Sequence, residues 1–218
     1  MSGIQVLGIV AAYLIGGIPF GLLAGLARGV DVRTAGSGNI GATNVIRVAG
    51  AKLGLLVFLL DLLKGVAAVM ICRALGMEGW LLPTVGLMAV MAHSFSPYLA
   101  FKGGKGVATA LGVLIGVHPL SAAIAFGLWL VLAVTTRYVS LASILAVTPV
   151  PAVIYFLAPS HNAELAVTIA PLSLLIIGRH NENIERLLAG TENRFGRKRQ
   201  ADTESADTPT EEPQTADE

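Results

Sequence analysis

Apolar stretches long enough, or nearly long enough, to cross a bilayer recur along the whole chain, and this recurrence limits what it can fold into. A spanning helix needs about 20 apolar residues, somewhat fewer where it is short or tilted. The first stretch runs unbroken from Ile4 to about Ala27, with no Lys or Arg ahead of it. It is too long for the apolar region of a signal peptide and reads as a span. Further spans are expected at about residues 53–75, 80–101, 106–117, 120–136, 140–158 and 164–178. Hydrophobic residues make up 54% of the sequence and charged residues 13%, an apolar load that a soluble globule of this size cannot hide. The expected class is an all-α membrane protein, a polytopic bundle of about seven transmembrane helices.

Charge sets the expected orientation. With seven spans, Arg28, Arg33, Arg47, Lys52, Lys102, Lys105, Arg137 and the basic run from Arg179 to Arg199 fall on one face, leaving Arg73 opposite and Lys64 within a helix. The positive-inside rule then puts the N-terminus outside and the C-terminus in the cytoplasm. A single kinked span over 106–136 would move the C-terminal basic run to the outside. Residues 200–218 differ from the rest: seven acids, two prolines and no Lys or Arg. They read as an acidic, disordered and dispensable cytoplasmic tail, and residues 1–199 as one membrane domain. The other seven acids stand against all fifteen basic residues, a net +8 for that domain. Cys72 stands alone, which excludes an internal disulfide and a cysteine metal cluster; it reads as helix packing, and no metal or cofactor is expected.

Three polar stretches interrupt the spans. The first, GSGNIGATNVIRVAG at residues 36–50, has the GxGxxG spacing of a dinucleotide loop, but an apolar helix precedes it rather than a strand. That reading is set aside, yet the chemistry still suits an anion. Gly36, Gly38, Gly41 and Gly50 let backbone N–H groups approach closely, and Ser37, Asn39, Thr43 and Asn44 offer hydrogen bonds. Arg47 adds a planar fork suited to phosphate oxygens. The second stretch, HSFSPYLAFKGGKGVAT at 93–109, gathers Gly103, Gly104 and Gly106 around Lys105 at a helix start, where free N–H groups favour negative charge. It is not a P-loop, because Gly106 rather than Ser or Thr follows the lysine. The third is RHNENIERLLAGTE at 179–192. In the seven-span arrangement all three lie at cytoplasmic helix ends and can form one phosphate cradle. His93 and His180, taken singly, read more readily as structural histidines, as do His118 and His161. Asp61 and Lys64, three apart on the second span, share a face and can pair, either as a functional site or as a packing ion pair.

Jointly, and in order, these stretches resemble the three motifs of one family: the bacterial integral-membrane glycerol-3-phosphate acyltransferases that use acyl phosphate, the PlsY type. DLLKG at 61–65 and RYVSLAS at 137–143 are also similar to family segments, and the resemblance covers residues 4–192. It implies transfer of a fatty acyl group from acyl phosphate to the 1-hydroxyl of sn-glycerol 3-phosphate, giving lysophosphatidic acid and inorganic phosphate. The setting implied is phospholipid synthesis at the bacterial cytoplasmic (inner) membrane, with the active site facing the cytoplasm. The implied partners are acyl phosphate, glycerol 3-phosphate, the lipid bilayer and an upstream enzyme that makes acyl phosphate, with no nucleic acid.

By that resemblance Ser37, Arg47, Lys105, His180 and Asn183 form the catalytic set. Ser37 and first-loop N–H groups would hold the acyl phosphate or its developing oxyanion, while Arg47 and Lys105 neutralise phosphate. Gly36, Gly38, Asn39, Gly41, Asn44, Gly103, Gly104, Gly106 and Ser143 are expected to contact substrate, and Asp61, Lys64, His93 and Glu192 to support the site. The general base stays open between His180 and a substrate phosphate oxygen. His180 and Glu185 have the spacing of an HxxxxD dyad, but with Glu and in another context, and are not read as one. A basic glycine-lined pocket also suits an organophosphate transporter or a lipid-binding scaffold, although transporter sites usually lie nearer the midplane.

Overall fold

The computed structural model describes residues 2–158 and 162–196, and every regular element among them is helical. The first apolar stretch forms α1 (Gly3–Gly17) and α2 (Phe20–Leu26), broken at Ile18–Pro19. Ser2 caps α1 by accepting the Gln5 N–H, and its own N–H donates to the Gln5 side-chain oxygen. The glycine-rich loop leads into a short amphipathic helix, α3 (Ala42–Ala49), and Gly50 turns the chain at a φ of 94° into α4 (Ala51–Ala74). Next come α5 (Leu81–Ser94), a 3-10 turn (Pro97–Leu99), α6 (Val107–Val117) and α7 (Pro119–Thr136). His118 caps α7 by accepting the Ser121 amide at 3.2 Å, the structural role its position suggested; His161 lies outside the described residues. The sixth stretch divides into α8 (Val139–Val147) and α9 (Val150–Leu157) at Pro149, and α10 (Asn162–Gly178) is followed by α11 (Asn181–Leu188).

Each of the seven apolar stretches therefore contains helix, but their lengths differ. Four segments are long and apolar enough for a full crossing: Gly3–Leu26, Ala51–Ala74, Pro119–Thr136 and Val139–Leu157. A fifth is added if Ala163–Gly178 and Asn181–Leu188 are joined across their 55° bend. At 14 and 11 residues, α5 and α6 are shorter.

The packing runs inside out relative to a soluble protein. Leu7, Val131, Val134, Phe156, Val167 and Leu174 all stand exposed on helix faces, and only 11% of α7 is buried. Such surfaces suit lipid rather than water. The main core lies between α1, α4, α5, α6 and α10, around Val69, Val85, Val90, Val113, Ile169 and Leu172; Cys72 is buried within it. A second cluster, of Leu22, Val32, Ile40, Val45 and Val57, fastens the first polar loop and α3 onto α2 and α4.

Small residues allow the closest crossing. A Cβ on Gly65 of α4 would overlap the carbonyl of Thr109, and one on Gly112 of α6 the carbonyl of Leu62. The two backbones are thus in direct contact, as in small-residue interfaces of membrane helices. Gly112→Ala is expected to cost about 1–3 kcal/mol through overpacking. A thermal midpoint in detergent equal to that of the unsubstituted protein would show that α4 and α6 pack less closely.

Candidate active site

The first polar loop is organised around one buried amide. Asn44 accepts the Ser37 N–H at 2.8 Å through Oδ1, and its Nδ2 donates to the carbonyls of Val32 (2.9 Å), Ala35 (3.1 Å) and Asn39 (2.9 Å). Those acceptors fix which way the amide points. Asn39 in turn accepts the Gly41 N–H at 2.8 Å. Gly36 (φ 65°) and Gly38 (φ 70°) supply the left-handed turns of the loop, and a Cβ on Gly36 would overlap Asn44 Oδ1. The loop thus spends the Ser37, Gly38 and Gly41 amides internally. The Ser37 side chain and the Arg47 guanidinium, both on exposed residues, have no hydrogen-bond or ion-pair partner among the described residues.

The second and third stretches meet through a chain of polar contacts. Lys105 Nζ donates to Asn183 Oδ1, and Asn183 Nδ2 donates to Glu192 Oε1 at 2.6 Å. Glu192 also accepts from Ser140 Oγ at 2.7 Å and Arg186 Nε at 2.8 Å. Burial alone would raise the Glu192 pKa, but the bonds from Arg186, Ser140 and Asn183 outweigh it and hold the carboxyl low. Burial lowers the Lys105 ammonium to about 8; the Glu192 charge opposes that shift and Arg186 adds to it. One carboxylate thus ties α8, α11 and the segment after it together.

His180 lies in the turn between α10 and α11, and its Nδ1 is 2.7 Å from the Ile176 carbonyl. A carbonyl only accepts, so Nδ1 carries the ring proton and Nε2 keeps its lone pair. Burial pushes the His180 pKa down to about 4, against the opposing pull of the Ile176 bond, so the ring is neutral near pH 7.

These groups border one cavity of about 220 Å³. Its polar lining includes Ser37, Asn39, Arg47, Lys105, His180 and Asn183, and its apolar lining includes Leu111, Leu114, Phe126, Trp129, Val147 and Ile176. The change follows the helix axes. On α6 the lining passes from Lys105 and Gly106 to Leu111 and Leu114, on α8 from Ser140 and Ser143 to Val147, and on α10–α11 from Asn183 and His180 back to Ile176. From Gly106 to Leu114 that is roughly 12 Å of helix. The space is therefore amphiphilic, with a charged end and a greasy end.

Of the residues singled out in the sequence, Gly41, Asn44, Gly106, Asp61, His93, Ser143 and Glu192 also line this cavity. Gly36, Gly38, Gly103, Gly104 and Lys64 do not border it. The Gly103 and Gly104 amides, expected to be free, donate instead to the carbonyls of Ser94 (3.1 Å) and His93 (3.0 Å), and their own carbonyls accept from Arg179. Ser143 is occupied as well: Oγ donates to the Val139 carbonyl at 2.8 Å and accepts from Trp129 Nε1 at 3.1 Å. Asp61 and Lys64 do pair, at 2.7 Å.

Sequence reading missed four contributors: Trp129, Ser140, Arg179 and Arg186. Ser140 and Ser143 at an i, i+3 spacing on one helix face were the available signal for α8. Arg179 and Arg186 stood within the third stretch but gave no sign of whom they would meet.

The chain also matches known proteins over most of its length. The model of the glycerol-3-phosphate acyltransferase family matches residues 6–190. A glycerol-3-phosphate acyltransferase of Geobacter sulfurreducens is 48% identical over 185 residues, which cover 84% of this chain and 94% of that protein. The Aquifex aeolicus enzyme is 45% identical over 188 residues, covering 86% and 97%. Among solved structures, the glycerol 3-phosphate form of PlsY (YgiH), an integral membrane glycerol 3-phosphate acyltransferase, superposes with a TM-score of 0.81 at 45% identity, covering 89% of this chain and 96% of that one. Its lysophosphatidic acid form gives 0.80 at 44% identity, with the same coverage. A match of this extent to the family model, to curated enzymes and to solved folds shows that the chain belongs to the glycerol-3-phosphate acyltransferase family of integral membrane proteins.

Proposed function

We propose that the protein transfers a fatty acyl group from acyl phosphate to the 1-hydroxyl of sn-glycerol 3-phosphate, releasing lysophosphatidic acid and inorganic phosphate. The observation that carries this reading is the two-ended cavity, in which an unpaired Arg47 and Lys105 border the same space as the side chains of α6, α7 and α8. An acyl phosphate has a phosphate for one end and an alkyl chain for the other. The glycerol 3-phosphate and lysophosphatidic acid forms of PlsY support the acceptor and the product. In this reading residues 1–199 are the acyltransferase domain, crossing the bacterial inner membrane seven times with the N-terminus outside, and the site opens to the cytoplasm. Residues 200–218, which lie outside the described residues, are an acidic tail not needed for turnover.

The chemistry needs no acyl-enzyme. Acyl phosphate is a mixed anhydride, so the glycerol oxygen attacks the acyl carbonyl directly. The new ester C–O bond forms, the carbonyl–phosphate C–O bond breaks, and phosphate leaves with the electron pair. Ser37 Oγ donates to the donor's phosphate or to the developing oxyanion, and Arg47 and Lys105 neutralise phosphate charge. For the hydroxyl proton, His180 Nε2 is an open acceptor, but a pKa of about 4 makes it a weak base. A substrate phosphate, with a second pKa near 6, is the stronger one. We assign the proton to the phosphate and to His180 the alignment of the hydroxyl.

Three outcomes follow from these roles. Protein purified in detergent, without vesicles, is expected to release inorganic phosphate from acyl phosphate plus glycerol 3-phosphate; in parallel reactions acyl-CoA and acyl carrier protein should be poor donors. Equal turnover with a thioester donor would reject acyl phosphate as the donor. Ser37→Ala and Arg47→Ala should each lower kcat by about 10²-fold or more, the loss typical of one transition-state donor, whereas near-normal rates would remove them from the chemistry. The pH profile of kcat/KM should fall on the alkaline side as Lys105 deprotonates through about 8. Lys105→Arg keeps its charge there and should lose that limb. In a His180→Asn variant the acid limb should stay near the phosphate pKa; its disappearance would make His180 the base.

A further inference from the structure

Lys64 is buried in α4, and its ammonium meets three acceptors. They are the Ile18 carbonyl at 2.9 Å, His93 Nδ1 at 2.8 Å and Asp61 Oδ1 at 2.7 Å. The Asp61 contact is an ion pair between two buried side chains. The Ile18 carbonyl is one of those freed where α1 breaks before Pro19. An ammonium offers only donors, so His93 Nδ1 accepts and the ring proton sits on Nε2. Lys64 thereby sets both the place and the tautomer of His93.

The far edge of that ring meets the second polar stretch. A Cβ on Gly104 would overlap the His93 imidazole at Nε2, and the Gly104 amide donates to the His93 carbonyl at 3.0 Å. Side chain and main chain of one residue thus hold Gly104 from two directions. Lys105 follows immediately, and Asp61 and His93 both reach the cavity wall. Since the Gly104 amide is spent on α5, the lack of a side chain at 104 makes room for a ring rather than for a phosphate.

We propose that Asp61, Lys64 and His93 are positioning residues for the second motif: Lys64 fixes the imidazole, the imidazole fixes Gly104, and Gly104 places the Lys105 ammonium. The kinetic readout of this device rests on the acyltransferase reading of the cavity. The steric couple between His93 and Gly104 does not.

The test is allele-specific rescue in the full-length purified protein. Gly104→Ala is expected to lower kcat/KM for glycerol 3-phosphate by about 10²-fold, the scale of a misplacement near 1 Å. Adding His93→Asn removes the ring yet leaves an acceptor for Lys64, and should recover about tenfold, within the coupling seen between touching residues. Gly103→Ala is the control. A Cβ there would overlap the His93 main-chain carbonyl, so His93→Asn should recover nothing. Thermal midpoints of the same set should show the same pattern, and if Gly104→Ala does not fold, recovery of monodisperse protein in the double variant is the readout. No recovery over Gly104→Ala alone, or equal recovery over Gly103→Ala, overturns the proposal. A wild-type protein without turnover defeats the acyltransferase reading instead, and the midpoints still decide the steric couple.

Discussion

Where a chain leaves helical geometry among apolar helices, every amide and carbonyl it frees needs a partner inside the protein, because lipid offers none. The irregular segments here meet that demand with few polar side chains. Asn44 gathers the first loop through four hydrogen bonds. At the break after α1, the carbonyls of Leu14, Gly17 and Ile18 accept from Tyr98 Oη (3.3 Å), Ser96 Oγ (2.7 Å) and Lys64 Nζ (2.9 Å). Glu192 serves the third motif in the same way from its carboxylate end. Asn44 and Glu192 do this at the cavity wall itself, and Lys64, Ser96 and Tyr98 behind it. Together they fix the backbone from which Ser37, Arg47 and Lys105 reach the cavity.

The arrangement separates two jobs that run together in the glycine-rich sequences. One job, on the proposed reading, is anion contact, and it falls to a few side chains whose own hydrogen bonds are unspent or shared. The other is close packing against neighbouring main chain or side chains, which occupies Gly36, Gly103, Gly104 and Gly106. Gly103 and Gly104 fold back onto the end of α5, and Gly36 makes room for Asn44. A side chain at any of these places would move the frame before it touched a ligand.

This separation explains what was legible in the sequence. The apolar stretches and their helical nature follow from hydropathy, and the polar groups converge because three loops carry the same kind of chemistry. The helix α3 was hidden, because its eight amphipathic residues lie inside a glycine-rich stretch that reads as a loop. Pro19 and Pro149 break stretches that hydropathy alone reads as continuous. The fate of the Gly103 and Gly104 amides was not legible either, since spacing along the chain cannot reveal that the carbonyls of His93 and Ser94 return to meet them. Nothing in the sequence marked Trp129 as the donor to Ser143, fourteen residues on.

The position of α7 has a consequence for traffic through the cavity. It forms one wall through Phe126 and Trp129, whose rings stack with centroids 6.0 Å apart, while most of its surface faces outward. Its outer face is exposed and its inner face lines the cavity, so the partition between the two is one helix thick. On the proposed reading, tailed molecules then enter and leave sideways, gliding within the leaflet without exposing their hydrocarbon to water, while the small polar reactant comes and goes through the aqueous mouth.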